Sequence, residues 1–314
     1  MTSNDHDLYD ALVIGTGPAG LSAALYLARY DRSVALFDAG HGRSTWLQVN
    51  HNYHNYLGFP GGVSIRTLCE LGRRQLEEYA RVSVFEHKVE AMARLDDAFE
   101  ARGQARAWRG RAVILCPGVI DHWPRFEGWS HYVGRSLFWC LTCDGYGCKG
   151  VRTVVAGNTN YAAQEALQLS RFTDRLTVLT DSHDNEIDAA MRGRLQRAGI
   201  VVIDDRIKSV EGDEDKGQLR VVWTQNGRCV ELDQLFSLYG ATPATDLAPD
   251  LGVALTADRY IVVVEEQRTG VPGVFAAGDA TRLHSHQVST AVHEGGQAAS
   301  SANYYLYPPE LRGE

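Results

Sequence analysis

The chain has 314 residues, 44% of them hydrophobic and 22% charged, with a formal net charge of −8. That length normally divides into two domains, and that composition buries a real core, which excludes a disordered protein. The acidic balance, with no long run of Lys and Arg, argues against a nucleic-acid surface and fits a small molecule or a protein partner better.

Met1 to Asp7 are polar and acid-bearing, with no apolar run behind a basic start, so no secretory signal is expected. No apolar stretch approaches a membrane span. A cytoplasmic protein is the expectation, and in that setting a close cysteine pair is more often catalytic or metal-binding than a structural staple.

In chain order, Leu12 to Ile14 read as a short apolar strand, Gly15-Thr16-Gly17-Pro18-Ala19-Gly20 as a glycine turn, and Leu21, Leu25 and Leu27 as a helix. Gly15 permits the tight turn, Gly17 lets backbone approach a pyrophosphate, and Gly20 lets the helix pack against the strand. The helix N-terminus then points at the phosphates. Val34 to Phe37 make a second strand ending in Asp38, placed to accept hydrogen bonds from a ribose. Residues 113 to 118 form a strand that closes on Pro117-Gly118.

Cys140-Leu-Thr-Cys143-Asp144-Gly145 sets two thiols in a close pair with a carboxylate immediately behind them. Redox exchange, zinc binding and two ordinary buried thiols all compete for such a pair. A structural zinc needs four ligands, and although Cys148 lies nearby, Cys69, Cys116 and Cys229 are scattered and form no second pair. No metal site is expected.

A second strand, turn and helix follow: Val151 to Ala156, Gly157-Asn158-Thr159-Asn160-Tyr161-Ala162, then Ala162 to Leu169, with another strand at Leu176 to Leu179. Thr159 stands where backbone must almost touch a pyrophosphate, and a side chain there obstructs it. Asp181 ends the second strand of this fold, where an acid can bind an NAD ribose or repel a 2′-phosphate. Further on, Thr269 to Ala280 is a buried strand stopping at Gly278-Asp279, a pair able to bring an aspartate and a backbone amide to a bound dinucleotide. Histidines gather as His51 and His54 and as His284, His286 and His293, without an acid or cysteine at diagnostic metal spacing. The aromatic tail around Tyr304, Tyr305 and Tyr307 packs on the body or on a second subunit. A sharper alternative has one of these rings covering a flavin face.

On these pieces the chain resembles the low-molecular-weight thioredoxin reductases, FAD-containing class II pyridine nucleotide-disulfide oxidoreductases. The matching segments are Gly15 to Gly20, Asn55-Tyr-Leu-Gly-Phe-Pro60, Cys116-Pro-Gly118, Cys140 to Gly145, Gly278-Asp279 and Gln287-Val288. The resemblance implies an α/β protein of two Rossmann-like, three-layer ββα nucleotide-binding domains, the second inserted into the first. The expected boundaries are 1–118 and 242–314 for the FAD domain and 119–241 for the insert. FAD would be held by Gly15, Gly17, Pro18, Ala19, Gly20, Asp38, Asn55, Gly118, Gly278, Asp279, Gln287 and Val288, with Asn55, Gln287 and Val288 touching the isoalloxazine. Cys143 would face the flavin, Cys140 would exchange with substrate, and Asp144 would move protons. A homodimer acting on thioredoxin or a similar small dithiol protein is implied.

Members that use NADPH carry a histidine and a pair of arginines after the second strand, where this chain has Thr180-Asp-Ser-His183-Asp-Asn-Glu186. Charged hydrogen bonds contribute about 1.5–3 kcal/mol each, so losing two weakens NADPH by about two to four powers of ten. The chain therefore resembles members that have lost the NADPH motifs. The rival readings are a flavin dithiol oxidase that forms a disulfide in a small molecule with oxygen as acceptor, an NADH-dependent reductase, and a non-catalytic redox-sensing flavoprotein.

Overall fold

A computed structural model describes residues 8–40, 51–104, 106–124, 126–184 and 186–312. Its helices are α1 (Pro18–Arg29), α2 (Ile65–Leu76), α3 (Leu141–Asp144), α4 (Asn160–Leu169), α5 (Ala189–Arg197) and α6 (Val288–Tyr305). Two compact units emerge. The first comprises Met1–Trp46, Ile65–Ile120 and Thr242–Glu314, and the second Leu47–Ser64 with Asp121–Ala241. Sequence order alone assigns Leu47–Ser64 to the first domain, whereas its contacts group it with the second unit.

In the first unit, the strands Val82–Phe85, Val34–Phe37, Leu8–Ile14 and Arg106–Leu115 lie side by side in parallel. The last of these is long, and its two halves have different neighbours. The first half pairs antiparallel with Phe99–Gly103, the second parallel with Val274–Ala276. Alternate residues feed two cores, as the period-two pleat requires. Ala11, Val13, Leu36 and Ile114 meet the helices, while Leu12, Phe37, Val113 and Leu115 meet Trp108 and Phe99 on the other face. Burial on both faces explains why these strands read as continuous apolar runs rather than as alternating ones.

The helical layer owes its closeness to small residues. Gly295 of α6 packs so tightly on α1 that a Cβ there would lie 2.1 Å from the Ala19 carbonyl oxygen. Beside it, Ala298, Ala299 and Ala302 continue the same buried face.

The second unit repeats the plan. Its parallel strands run in the order Val201–Ile203, Leu176–Leu179, Thr153–Ala156, Gln234–Ser237 and Leu137–Phe138. Helices α4 and α5 cover one face through Ala162, Ala163, Ala166, Leu169 and Leu195. An antiparallel sheet of Ile207–Asp213, Gln218–Thr224 and Cys229–Glu231 covers the other through Leu219, Val222 and Val230. Among the described residues no helix is long and apolar enough to cross a membrane.

Gly295→Val is expected to destabilise the first unit by about 1–3 kcal/mol or more, since backbone, not a movable side chain, blocks the new Cβ. The urea midpoint should fall; an unchanged midpoint would mean the two helices separate freely.

Candidate active site

The first unit places its cofactor residues at one edge of the sheet. Gly15, Asp38, Gly118 and Gly278 each follow the C-terminal end of a strand within one parallel array, the edge at which such sheets bind ligands. Gly15 has φ +111°, and a Cβ on it would lie 2.2 Å from the Cys116 carbonyl oxygen. A Cβ on Gly20 would lie 1.8 Å from the Gly15 carbonyl oxygen. Those two glycines are demanded by backbone crowding. Gly17 differs: it is extended, it is the N-cap of α1, and a Cβ there meets nothing within 4 Å. No side chain caps α1, so open space stands over uncapped N–H groups, with Pro18 as the first helical residue and Ala19 behind it. A diphosphate fits that arrangement.

Around this turn the structure adds partners that the sequence did not reveal. Arg73 of α2 donates to Thr16 Oγ1 at 3.1 Å and pairs with Asp38. The Gly40 N–H donates to Asp38 Oδ1 at 2.9 Å. Burial pushes the Asp38 carboxyl up, but the Gly40 amide and the Arg73 guanidinium outweigh it and hold it below the usual carboxylate range. Glu294, buried in α6, accepts from the Gly278 N–H at 2.6 Å and meets His284 Nδ1 at 2.8 Å. It thereby ties the turn carrying Asp279 to α6, which begins at Gln287 and Val288 with a reciprocal capping box through Thr290. These groups are compatible with the expected FAD.

The aromatic tail sits at the other end of that helix. Tyr305 packs on Phe275 and under Arg312, and Arg32 lies over Tyr307. An 18-residue helix is about 27 Å long, so these rings are remote from Gln287. The reading in which one of them covers a flavin face within the same chain is therefore set aside.

In the second unit, Cys140 and Cys143 form a disulfide with a Cα separation of 5.3 Å, at ordinary bridging distance. Both are half-buried. Cys140 caps the single turn of α3: the Cys143 N–H donates to Cys140 Sγ at 3.2 Å, and the Asp144 N–H donates to the Cys140 carbonyl at 3.0 Å. Asn55 Nδ2 donates to Cys143 Sγ at 3.8 Å, so this residue, expected at the flavin, stands beside a sulfur. Asp144 is buried, and its Oδ1 lies 3.0 Å from Nε2 of the equally buried His51. Cys148 is also fully buried; its Sγ donates to Gln234 Oε1 at 2.9 Å, and burial pushes its thiol up to about 11.

The turn of the second nucleotide fold is occupied by its own side chains. Thr159 holds the position that Gly17 holds in the first fold, and its Oγ1 accepts from the Ala162 N–H at 3.3 Å. Asn158 Nδ2 donates to the Asp184 carbonyl at 2.7 Å, and the Asn158 carbonyl accepts from the Glu186 N–H at 2.9 Å. Asn160 and Asp188 bond reciprocally at 2.7 and 3.1 Å. The segment after the second strand is thus stitched across the start of α4. Asp181 Oδ1 accepts from the Ile207 N–H and its Oδ2 from the Tyr239 hydroxyl, both at 2.6 Å.

The remaining histidines are held individually. His286 Nε2 lies 2.9 Å from the Thr281 carbonyl, and the His284 and His293 rings are 6.1 Å apart. Among the described residues no group of three or more His, Cys, Asp or Glu side chains converges as a metal site.

Comparison with known proteins supplies a context for this geometry. Residues 9–295 match the profile of the family described as pyridine nucleotide-disulphide oxidoreductase. The chain is 30% identical over 303 residues to a thioredoxin reductase of Treponema pallidum, covering 95% of this chain and 97% of that protein. It is 29% identical over 313 residues to a bifunctional thioredoxin reductase/thioredoxin of Mycobacterium leprae, covering 97% of this chain and 68% of that one. A crystal structure of thioredoxin reductase from Streptococcus pyogenes aligns with TM-score 0.87 at 26% identity, over 96% of this chain and 99% of that one.

Gly17→Thr recreates in the first turn what Thr159 does in the second. Because Thr is a good N-cap, the variant should unfold at the same urea concentration as the parent apoprotein while its FAD affinity drops about tenfold or more. Unimpaired FAD uptake, followed by flavin fluorescence, would contradict the assignment of that turn.

Proposed function

The chain belongs to the pyridine nucleotide-disulphide oxidoreductases and is a thioredoxin reductase-like, FAD-dependent disulfide oxidoreductase, and from that premise we propose that it passes electrons through Cys140 and Cys143 to a thioredoxin-like partner without drawing them from NADPH. The observation that carries the last point is the closure of the second nucleotide turn. A phosphate at α4 would have to displace the Thr159 cap and part the Asn158–Asp184 and Asn160–Asp188 contacts. An NAD ribose would have to displace Tyr239 or the Ile207 amide from Asp181. The Thr159, Ile207 and Tyr239 contacts are half-buried, and loss of partner there costs about 1–3 kcal/mol each. The electron source is then a reductant other than a nicotinamide nucleotide.

FAD, which the Gly15–Gly20 turn, Asp38 and the Gly278-Asp279 turn would hold, would supply the electron pair for the Cys140–Cys143 disulfide. From the dithiol, Cys140 acts as the nucleophile, because the Cys143 amide donating to its sulfur favours negative charge there. The Cys140 thiolate attacks the partner disulfide and forms a mixed disulfide. Cys143 then attacks Cys140 Sγ, closes the internal bond and releases the partner as a dithiol. Two protons leave the enzyme thiols and two are taken up by the partner. Asn55 orients the Cys143 sulfur, and Asp144, behind the pair, handles the protons. A relative that is itself named as a bifunctional thioredoxin reductase/thioredoxin supports the choice of partner.

The test uses holoenzyme reduced with dithionite under anaerobic conditions and mixed with oxidised thioredoxin. Flavin should reoxidise as thioredoxin dithiol forms, up to about two per flavin because dithionite loads both the flavin and the Cys140–Cys143 pair, and Cys140→Ser or Cys143→Ser should slow flavin reoxidation by about a hundredfold or more. Reoxidation without new thiols, or at the parental rate in both variants, would refute the reading.

A further inference from the structure

Asp144 has a partner that comes from a distant part of the chain. Both nitrogens of His51 lie beside acceptors: Nε2 is 3.0 Å from Asp144 Oδ1, and Nδ1 is 3.2 Å from the Gly134 carbonyl. An imidazole flanked by two acceptors is best served as an imidazolium, which has two N–H donors. The Nε2 contact is a charge contact by distance rather than an aligned hydrogen bond. Aromatic rings wall in the site, with Tyr53 at 4.8 Å, Phe138 at 5.8 Å and Trp139 at 6.2 Å from the His51 ring. A Cβ on Gly134 would come within 2.6 Å of His51 Cβ, so the backbone there is shaped around the histidine.

One atom of the pair is left over. Asp144 Oδ2 is buried and has no hydrogen-bond partner among the described residues. A purely structural ion pair in a dry site normally satisfies both carboxylate oxygens, since burying an unpartnered one is unfavourable. Here the spare oxygen belongs to the residue next to Cys143, whose amide is bonded to the Cys140 carbonyl.

We propose that His51 is the positioning partner of Asp144 in disulfide exchange, fixing Oδ1 with its charge so that Oδ2 takes a proton from an enzyme thiol and returns it to the departing partner sulfur. This rests on the reading that Cys140 and Cys143 exchange disulfides. In each turnover the partner S–S bond breaks and the Cys140–Cys143 bond forms. The electron pair passes from the enzyme dithiol to the partner. One of the two protons travels by way of Asp144, and His51 stays protonated throughout.

The titratable groups around the pair are few. Tyr53 lies against His51, and Cys148 senses the Asp144 charge. Burial pulls the His51 imidazolium down, but Asp144 and then the Gly134 carbonyl outweigh it and raise its proton affinity above the ordinary histidine range. The ion pair therefore stabilises the fold fully below pH about 6.5 and is lost as pH rises through the higher folded value.

The test compares exchange rates of dithionite-reduced holoenzyme with 5,5′-dithiobis(2-nitrobenzoate) from pH 5.5 to 9. His51→Gln removes the charge that holds Asp144 Oδ1. In His51→Gln the limb on which exchange switches on should move up by about one pH unit or more, and the rate at pH 7 should fall about tenfold or more. An unchanged profile in a variant retaining FAD, or a fall equal at every pH, overturns the proposal. A wild-type enzyme that exchanges with no disulfide defeats the functional reading and the proposal together. Should His51→Gln not fold, ¹⁵N-histidine NMR of the wild-type holoenzyme decides. One imidazole should titrate above about 6.5 in the wild type and lower in Asp144→Asn; the same titration in both overturns the proposal.

Discussion

The first turn of a helix presents N–H groups that the helix itself cannot satisfy, and what satisfies them decides what the helix can do. This protein builds the same strand, turn and helix twice and answers that constraint in two ways. At α1 the cap is Gly17, with no side-chain bond and open space above it. At α4 the cap is Thr159, whose hydroxyl takes the Ala162 amide for itself. The first helix leaves its amides open to a phosphate, while the second satisfies one from its own side chain.

Other polar groups of the second fold are likewise engaged within the unit. Asp181, the acid at the end of its strand, joins the Ile207 amide to the Tyr239 hydroxyl. The acidic run that follows is stitched to Asn158 and Asn160. What the second unit retains is the small one-turn helix bearing Cys140 and Cys143, with Asn55 at one sulfur and the His51–Asp144 pair beside it.

The features legible in the sequence are those decided by a few neighbouring residues. The glycine turn, the Thr159 substitution and the close cysteine pair each depend on backbone over a handful of positions, so spacing alone exposes them. Arg73, Glu294 and His51 were not legible in this way. Arg73 reaches Asp38 only because α2 packs on α1, and Glu294 reaches Gly278 only because small residues let α6 lie against the same helix. His51 was visible only as one of a local histidine pair with His54, without an acid or cysteine at metal spacing to give it a role. Its real neighbour, Asp144, is brought to it by tertiary structure, and His54 takes no part in that contact. The tail rings follow the simpler of their two readings: Tyr305 packs on Phe275 and under Arg312, and the length of α6 carries it away from the start of that helix.

Whether the second nucleotide fold still works decides where the electrons come from. Anaerobic titration of the FAD-loaded protein with NADPH and with NADH, followed by flavin absorbance, measures this directly. With α4 capped by Thr159 and Asp181 engaged, the flavin should stay oxidised at micromolar concentrations of either nucleotide and bleach only with dithionite or another non-nicotinamide reductant. Rapid bleaching by NADPH or NADH at those concentrations would contradict the account.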